Sequence, residues 1–302
     1  MDLSAQIDLA RFLVESTVGE PARSATPLAG GEVGRVFRVD TAEASHLVKF
    51  VEQRLEPDFA DEPVDDRVYG SRFGNLRPAH ELLRAAGLPT PRLCGSGALT
   101  DQGVSYAVFD YLEGDPDDFS GAWFAAVGAS LCDLHTITRP YQGWVGVGAP
   151  HSEPWPVAFQ RALAINFAKA EPVLPPPLAL AVEREIREAP LLDDPVEFVL
   201  SHTDGFQGVL KRRDGQWMLL GHIDVEDMQF TDRRFVLTGF ELAHRLNGRA
   251  VLDAFWQAYG WRPVERRLQF ELLYLLVWTR VFSDRPAPFA ACLAELERAV
   301  GG

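Results

Sequence analysis

Three short apolar runs of strand type, Phe198 to Ser201, Val209 to Arg212 and Trp217 to Ile223, sit close together late in the chain. Arg213-Asp214-Gly215-Gln216 supplies the tight turn between the last two. The hairpin that the last two runs form lies between two aspartates. One is Asp204, in Ser201-His202-Thr203-Asp204; the other is Asp224, 20 residues later, in Ile223-Asp224-Val225-Glu226-Asp227. A hairpin of this length returns to its starting point, so the spacing predicts that the two carboxylates face one cleft. Phosphoryl transfer needs such a pair. One carboxylate orients the acceptor hydroxyl and takes its proton, and the other holds the cation that neutralises the phosphates.

The surroundings of this hairpin narrow the fold. Before it, the chain is strand-rich from Leu28 to Leu112, with a glycine turn at Gly30-Gly31-Glu32-Val33-Gly34 and a lysine, Lys49, inside an alternating strand. Ser4 is read as the cap of a first helix that buries Leu9, Phe12 and Leu13, and a second helix is read from Pro78 to Ala86. From Ser120 onward the pattern is helical, with Phe124, Val127, Leu131 and Leu134 forming an apolar stripe. The order predicts an α+β protein of two lobes. The first, β-rich, covers residues 1–112 with its connector, and the larger, mainly helical one covers 113–302.

Charge excludes one class of partner. The 302 residues carry 43 acidic against 29 basic side chains, a formal charge of −14, and a nucleic-acid binder would need a basic stripe. The apolar run Leu272 to Trp278 is too short to span a bilayer, and residues 1–20 lack the pattern of a secretory signal. Cys94, Cys132 and Cys292 are odd in number and widely spaced, which fits reduced thiols in a cytoplasm better than a disulfide frame or a zinc site.

Taken in order, these segments resemble the aminoglycoside-phosphotransferase family, small-molecule kinases of protein-kinase-like fold. The resemblance runs over roughly residues 28 to 245. It implies that Asp204 is the catalytic aspartate, that His202 braces its loop, and that Asp224 binds Mg²⁺. Gly30, Gly31 and Gly34 resemble the loop over the phosphates of ATP (or GTP), and Lys49 the lysine that contacts them. Glu81, in Ala79-His80-Glu81-Leu82-Leu83, resembles the helix glutamate that pairs with that lysine. Gly87-Leu88-Pro89-Thr90-Pro91 resembles the family's glycine-x-proline-x-proline step. Val108 to Gly114 resembles the hinge, where the backbone at Asp110, Tyr111 and Leu112 would meet adenine. Gly128 to His135, with Gly143-Trp144 beyond it, resembles the family's helix ending in Leu-His, His135 being read as a structural cap.

Two segments depart from that pattern. The family places an asparagine five residues after the catalytic aspartate, but Val209 stands there, and Gln207 is the nearest substitute metal ligand. The brace expected after Asp224 is replaced by Thr231-Asp232-Arg233-Arg234 and, further on, Glu241-Leu242-Ala243. Glu226, Asp227 and Glu241 are candidate contacts for a cationic acceptor. The function implied is transfer of a γ-phosphate to a hydroxyl of a small polar molecule such as an aminoglycoside, in the manner of antibiotic resistance. The missing asparagine motivates the alternative, a nucleotide-binding pseudokinase with a regulatory role. The acceptor and the oligomeric state are not specified by the sequence.

Overall fold

A computed structural model describes residues 1–28, 35–52, 73–100, 103–146, 153–193, 195, 197–202, 205–263 and 268–301. The glycines Gly30, Gly31 and Gly34, the catalytic candidate Asp204, and most of the acidic stretch 52–66 lie outside the described residues. The chain forms two compact units. The first holds the N-terminal elements together with residues 207–227, so the late hairpin packs with the early strands.

In the first unit, helix α1 (Leu3–Val18) is followed by strands β1 (Ser24–Pro27), β2 (Arg35–Asp40) and β3 (Ser45–Glu52). Helix α2 (Phe73–Ala85) then leads to β4 (Leu93–Leu99) and β5 (Val104–Asp110). The five strands form one antiparallel sheet in the order β1-β2-β3-β5-β4. Alternation along β3 puts His46, Val48 and Phe50 on one face and Leu47, Lys49 and Val51 on the other. Helix α1 covers the first face. Leu9, Leu13 and Val14 pack there against Phe37, Val39, Val48, Phe50 and Val108. Each such side chain contributes ~1.5–3 kcal/mol of burial, and Phe37 and Phe50 stack with ring centroids 5.6 Å apart.

Two details of the helices differ from the sequence reading. Asp2, not Ser4, caps α1 by accepting from the Ala5 amide at 2.9 Å. The buried face of that helix uses Ala10 and Val14 while Phe12 is exposed. Helix α2 starts at Phe73 and carries Pro78 inside it rather than at its start. Pro78 lacks an N–H, so the bond to the Gly74 carbonyl is not made at that turn.

The hairpin consists of β9 (Gly208–Arg213) and β10 (Gln216–His222), joined by Asp214 and Gly215 at φ +50° and +79°. Positive φ at both central residues is the two-residue turn that suits the twist of paired strands, and it explains Asp-Gly at this point.

The second unit contains α3 (Gly121–Leu134), β6 (Thr138–Arg139), β7 (Gly143–Trp144), α4 (Trp155–Ala170), α5 (Pro176–Glu188) and β8 (Phe198–His202). It continues with β11 (Met228–Thr231), α6 (Arg233–Leu246), α7 (Asp253–Tyr259), α8 (Leu268–Val281) and α9 (Pro286–Gly301). Ser120 caps α3 as expected, accepting from the Trp123 amide at 3.2 Å. Phe124, Val127, Leu131 and Leu134 are all buried. Strand β11, not foreseen from the sequence, pairs with β8 and β7 in a small sheet ordered β6-β8-β11-β7. Met228-Gln229-Phe230-Thr231 alternates apolar and polar residues as a strand does, yet all four are buried. Among the described residues no helix is long and apolar enough to cross a membrane.

Candidate active site

In the first unit Lys49 projects from β3 on the face away from α1. Its Nζ donates to Asp224 Oδ1 at 3.0 Å and to Glu226 Oε1. The Lys49 side chain is 15% exposed, Asp224 40% and Glu226 2%. Burial alone pushes an ammonium toward its neutral form, but the Glu226, Asp224 and Asp227 carboxylates outweigh it and hold Lys49 above the ordinary lysine range. The result is a fixed positive charge beside an accessible carboxylate.

Local structure explains how Asp224 reaches this position. The amide of His222 donates to the Pro89 carbonyl at 2.9 Å, and Thr90 Oγ1 donates to the His222 carbonyl at 3.3 Å. The Pro89-Thr90-Pro91 step therefore anchors the end of β10. Gly221 lets it approach, because a Cβ there would stand 2.9 Å from Leu112 Cδ1 and 3.2 Å from the Thr90 Cα. Beyond this anchor Asp224 takes φ +52°, a left-handed conformation that aspartate tolerates better than most residues. The Asp227 amide then closes a short 3₁₀ turn, Val225–Asp227, on the Asp224 carbonyl at 3.0 Å. Asn75 of α2, fully buried, donates to the Glu226 carbonyl at 3.0 Å and ties that turn to the helix.

Glu81 is exposed on α2, and the carboxylates on Lys49 are Asp224 and Glu226, in place of the expected Lys49–Glu81 pair. Glu226, read from the sequence as an acceptor contact, is buried beneath Lys49 and serves as its counter-ion. The signal for this role was its place two residues after Asp224 in a turn flanked by apolar Val225 and Met228. Asp227 adds to the negative field on Lys49. Gln207 is half-buried, and its carbonyl accepts from the Ile223 amide at 3.2 Å. Val209, at the position of the absent asparagine, lies in β9 opposite Gly221.

At the connector, the Asp110 and Tyr111 amides are taken by the Arg92 and Ser45 carbonyls, each at 3.0 Å. The Asp110 carboxylate is held by Arg92 at 2.9 Å, and Arg38 lies 4.7 Å from the centre of the Tyr111 ring. Of the three backbone positions proposed for a base, Leu112 is the one whose amide these bonds leave over. Past it, Asp115 donates its amide to the Leu210 carbonyl at 2.9 Å, fastening the connector to β9.

In the second unit His202 is fully buried at the end of β8 and forms an antiparallel bridge with Gly205, so the residues on either side of Asp204 are paired. His135 ends α3 and bonds Tyr259 Oη at 2.6 Å and Ser201 Oγ at 3.3 Å, the structural role expected of it. Ser201 Oγ in turn donates to the His202 carbonyl at 3.1 Å. Glu241, on α6, is half-exposed and lies 3.9 Å from Arg262. Asp232, buried, caps α6 and also grips the Arg234 guanidinium.

The fold that presents these groups is protein-kinase-like, the class built by small-molecule phosphotransferases. Solved structures that share it over nearly the whole chain include a candidate fructosamine-3-kinase from Haemophilus somnus 129PT. It is 15% identical, with 99% of each chain covered and a TM-score of 0.62. A thermostable variant of aminoglycoside phosphotransferase APH(4)-Ia, solved with ADP and hygromycin B, is 14% identical. It covers 97% of this chain and 98% of its own, with a TM-score of 0.63. A second candidate fructosamine-3-kinase, from Thermobifida fusca, is 17% identical at 97% and 99% coverage, with a TM-score of 0.57. No protein-family model matches the sequence, and no curated protein matches it.

Proposed function

We propose that the protein is a small-molecule kinase that moves the γ-phosphate of ATP (or GTP) to a hydroxyl of a small polar acceptor. The observation that carries this reading is the Lys49–Asp224 pair at 3.0 Å, which joins residues 175 apart in a fold of this class. Lys49 is held charged where a nucleotide's α- and β-phosphates would need a cation. Asp224 gives Oδ1 to Lys49, which leaves Oδ2 for a hard cation, and its exposure admits one. Asp224 would hold Mg²⁺, which when bound supplies charge neutralisation on the phosphates. Glu226 keeps Lys49 in place, and the Pro89-to-His222 anchor keeps Asp224 in place. Asp204 is assigned to orient the acceptor hydroxyl and take its proton, with His202 bracing its loop. Gly30, Gly31 and Gly34 are assigned to the phosphates and the Leu112 amide to the base.

An amine-bearing sugar is the acceptor class we favour. APH(4)-Ia has been solved with hygromycin B, and the chain's net charge of −14 suits a cation. Asp227 and Glu241 are the carboxylates we assign to it. The pseudokinase is the second reading, favoured by Val209, whose place in β9 leaves no ligand where the family has its asparagine.

The test is thermal stability with Mg²⁺ and ATP or GTP, followed by phosphate transfer to aminoglycosides, glycated amines, choline and sugars. A nucleotide-dependent rise in Tm with turnover of one acceptor is expected. A rise without turnover across the panel favours the pseudokinase, and no rise with either nucleotide overturns both.

A further inference from the structure

The α1-facing side of the first unit's sheet, opposite the face that bears Lys49, gathers a second chemically distinct cluster. His46 on β3 stands directly across from Asp110 on β5, with Nδ1 3.8 Å from Asp110 Oδ1. Cys94 Sγ lies 3.4 Å from the same Oδ1 and 3.8 Å from the Arg92 carbonyl. The three ligand atoms fall within 4.8 Å of one another. We propose that His46, Cys94 and Asp110 form a three-residue site for a divalent cation of the zinc type, with water completing the coordination.

Three observations carry it. First, His46 is 1% exposed and neither ring nitrogen has a hydrogen-bond partner, although Nδ1 points at the carboxylate. A buried imidazole left in that state costs free energy that a Lewis acid would return. Second, Cys94 sits at a register shift in β4: Leu93 pairs with Phe109 and Gly95 with Val108, so Cys94 is the extra, bulged residue. Bulges re-aim a side chain, and this one places the thiol beside Asp110. Third, the donor set is one nitrogen, one sulfur and one oxygen, which borderline divalent ions accept in tetrahedral geometry. Bond lengths of about 2.0–2.3 Å require ligand atoms roughly 3.3–3.8 Å apart. The two measured separations to Oδ1, 3.4 and 3.8 Å, already match.

Charge and access are compatible with a bound ion. A thiolate and a carboxylate oppose the charge of a dication, and Arg92 holds the carboxylate by both oxygens, Nε to Oδ2 and Nη2 to Oδ1, each at 2.9 Å, which fixes Oδ1 beside His46 and Cys94. Cys94 and Asp110 are partly exposed, which gives the ion an entry path.

The experiment uses the full chain stripped with a chelator and titrated with Co²⁺, then with Zn²⁺ in competition with a chromogenic chelator. One equivalent is expected, with a thiolate-to-cobalt charge-transfer band. Cys94→Ser should abolish the band and weaken Zn²⁺ binding by at least about 100-fold, while Cys132→Ser leaves both unchanged. Because Cys94→Ser could perturb the bulge, the wild-type chain is also alkylated with iodoacetamide. Zn²⁺ should slow modification of Cys94, but not of Cys132, by at least about tenfold. Absence of a band in the wild type, a band that survives Cys94→Ser, or equal alkylation of Cys94 with and without Zn²⁺ overturns the proposal.

Discussion

Lys49 Nζ donates to Asp224 Oδ1 at 3.0 Å while Glu226, 2% exposed, accepts from the same ammonium from below. One cation thus serves two carboxylates of different character. Asp224 faces solvent and is available to a ligand, whereas Glu226 is interior and exists to balance charge.

That difference predicts a separation of stability from activity. Lys49→Met leaves Glu226 buried without its cation and should destabilise the fold by about 3–5 kcal/mol. Adding Glu226→Gln removes the stranded charge and should recover most of that loss, while nucleotide-dependent turnover stays absent. Chemical denaturation of the single and double variants, beside a phosphate-transfer assay, measures both.

The two aspartates should fail differently. Asp224→Ala removes a charged ligand worth ~1.5–3 kcal/mol and should weaken Mg²⁺-nucleotide binding about tenfold or more. Asp204→Ala should leave nucleotide affinity near the wild-type value and lower kcat by about 10²–10⁴-fold. Calorimetric titration with a nonhydrolysable nucleotide, paired with steady-state rates, distinguishes them. Wild-type turnover in Asp204→Ala would refute the assignment.

His244 predicts a pH dependence of stability. Its ring sits among Phe119, Trp123, Phe124 and Phe240, with centroid separations of 4.6 to 6.0 Å. Burial and then the charge of Arg249 lower it from 6.5 to about 4. The unfolded chain accepts a proton below about 6.5 that the folded chain refuses until about 4. This contribution to stability is therefore complete above 6.5 and is lost as pH falls through that window. His244→Phe should flatten the dependence of Tm on pH there.

Gly128 tests the packing of α3 on α7. A Cβ at this position would collide with the Phe255 carbonyl oxygen, a backbone atom that cannot rotate away. Gly128→Ala should cost about 1–3 kcal/mol or more by overpacking. Thermal unfolding checks this, and Gly121→Ala, whose nearest neighbour would be 3.9 Å away, is the control.

Much of the fold was legible because it rests on local chemistry. The Asp214-Gly215 turn, the Ser120 cap and the stripe from Phe124 to Leu134 are each set by short-range rules of backbone conformation and periodicity, and they appear as read. The partner of Lys49 was not legible. Glu81 and Glu226 are both glutamates near apolar residues, and only the docking of the Val225–Asp227 turn against Asn75 decides which one is buried under the ammonium.

By itself the sequence determined the change from a strand-rich to a helical pattern, the hairpin and its turn, and the aspartates at its ends, because each follows from neighbours a few residues apart. The tertiary structure alone decided that Lys49 meets Asp224 and Glu226, and that His46, Cys94 and Asp110 converge on the opposite face of the same sheet. Those meetings depend on strand register and on one bulge. A shift of a single residue in either would turn the side chains to the other face.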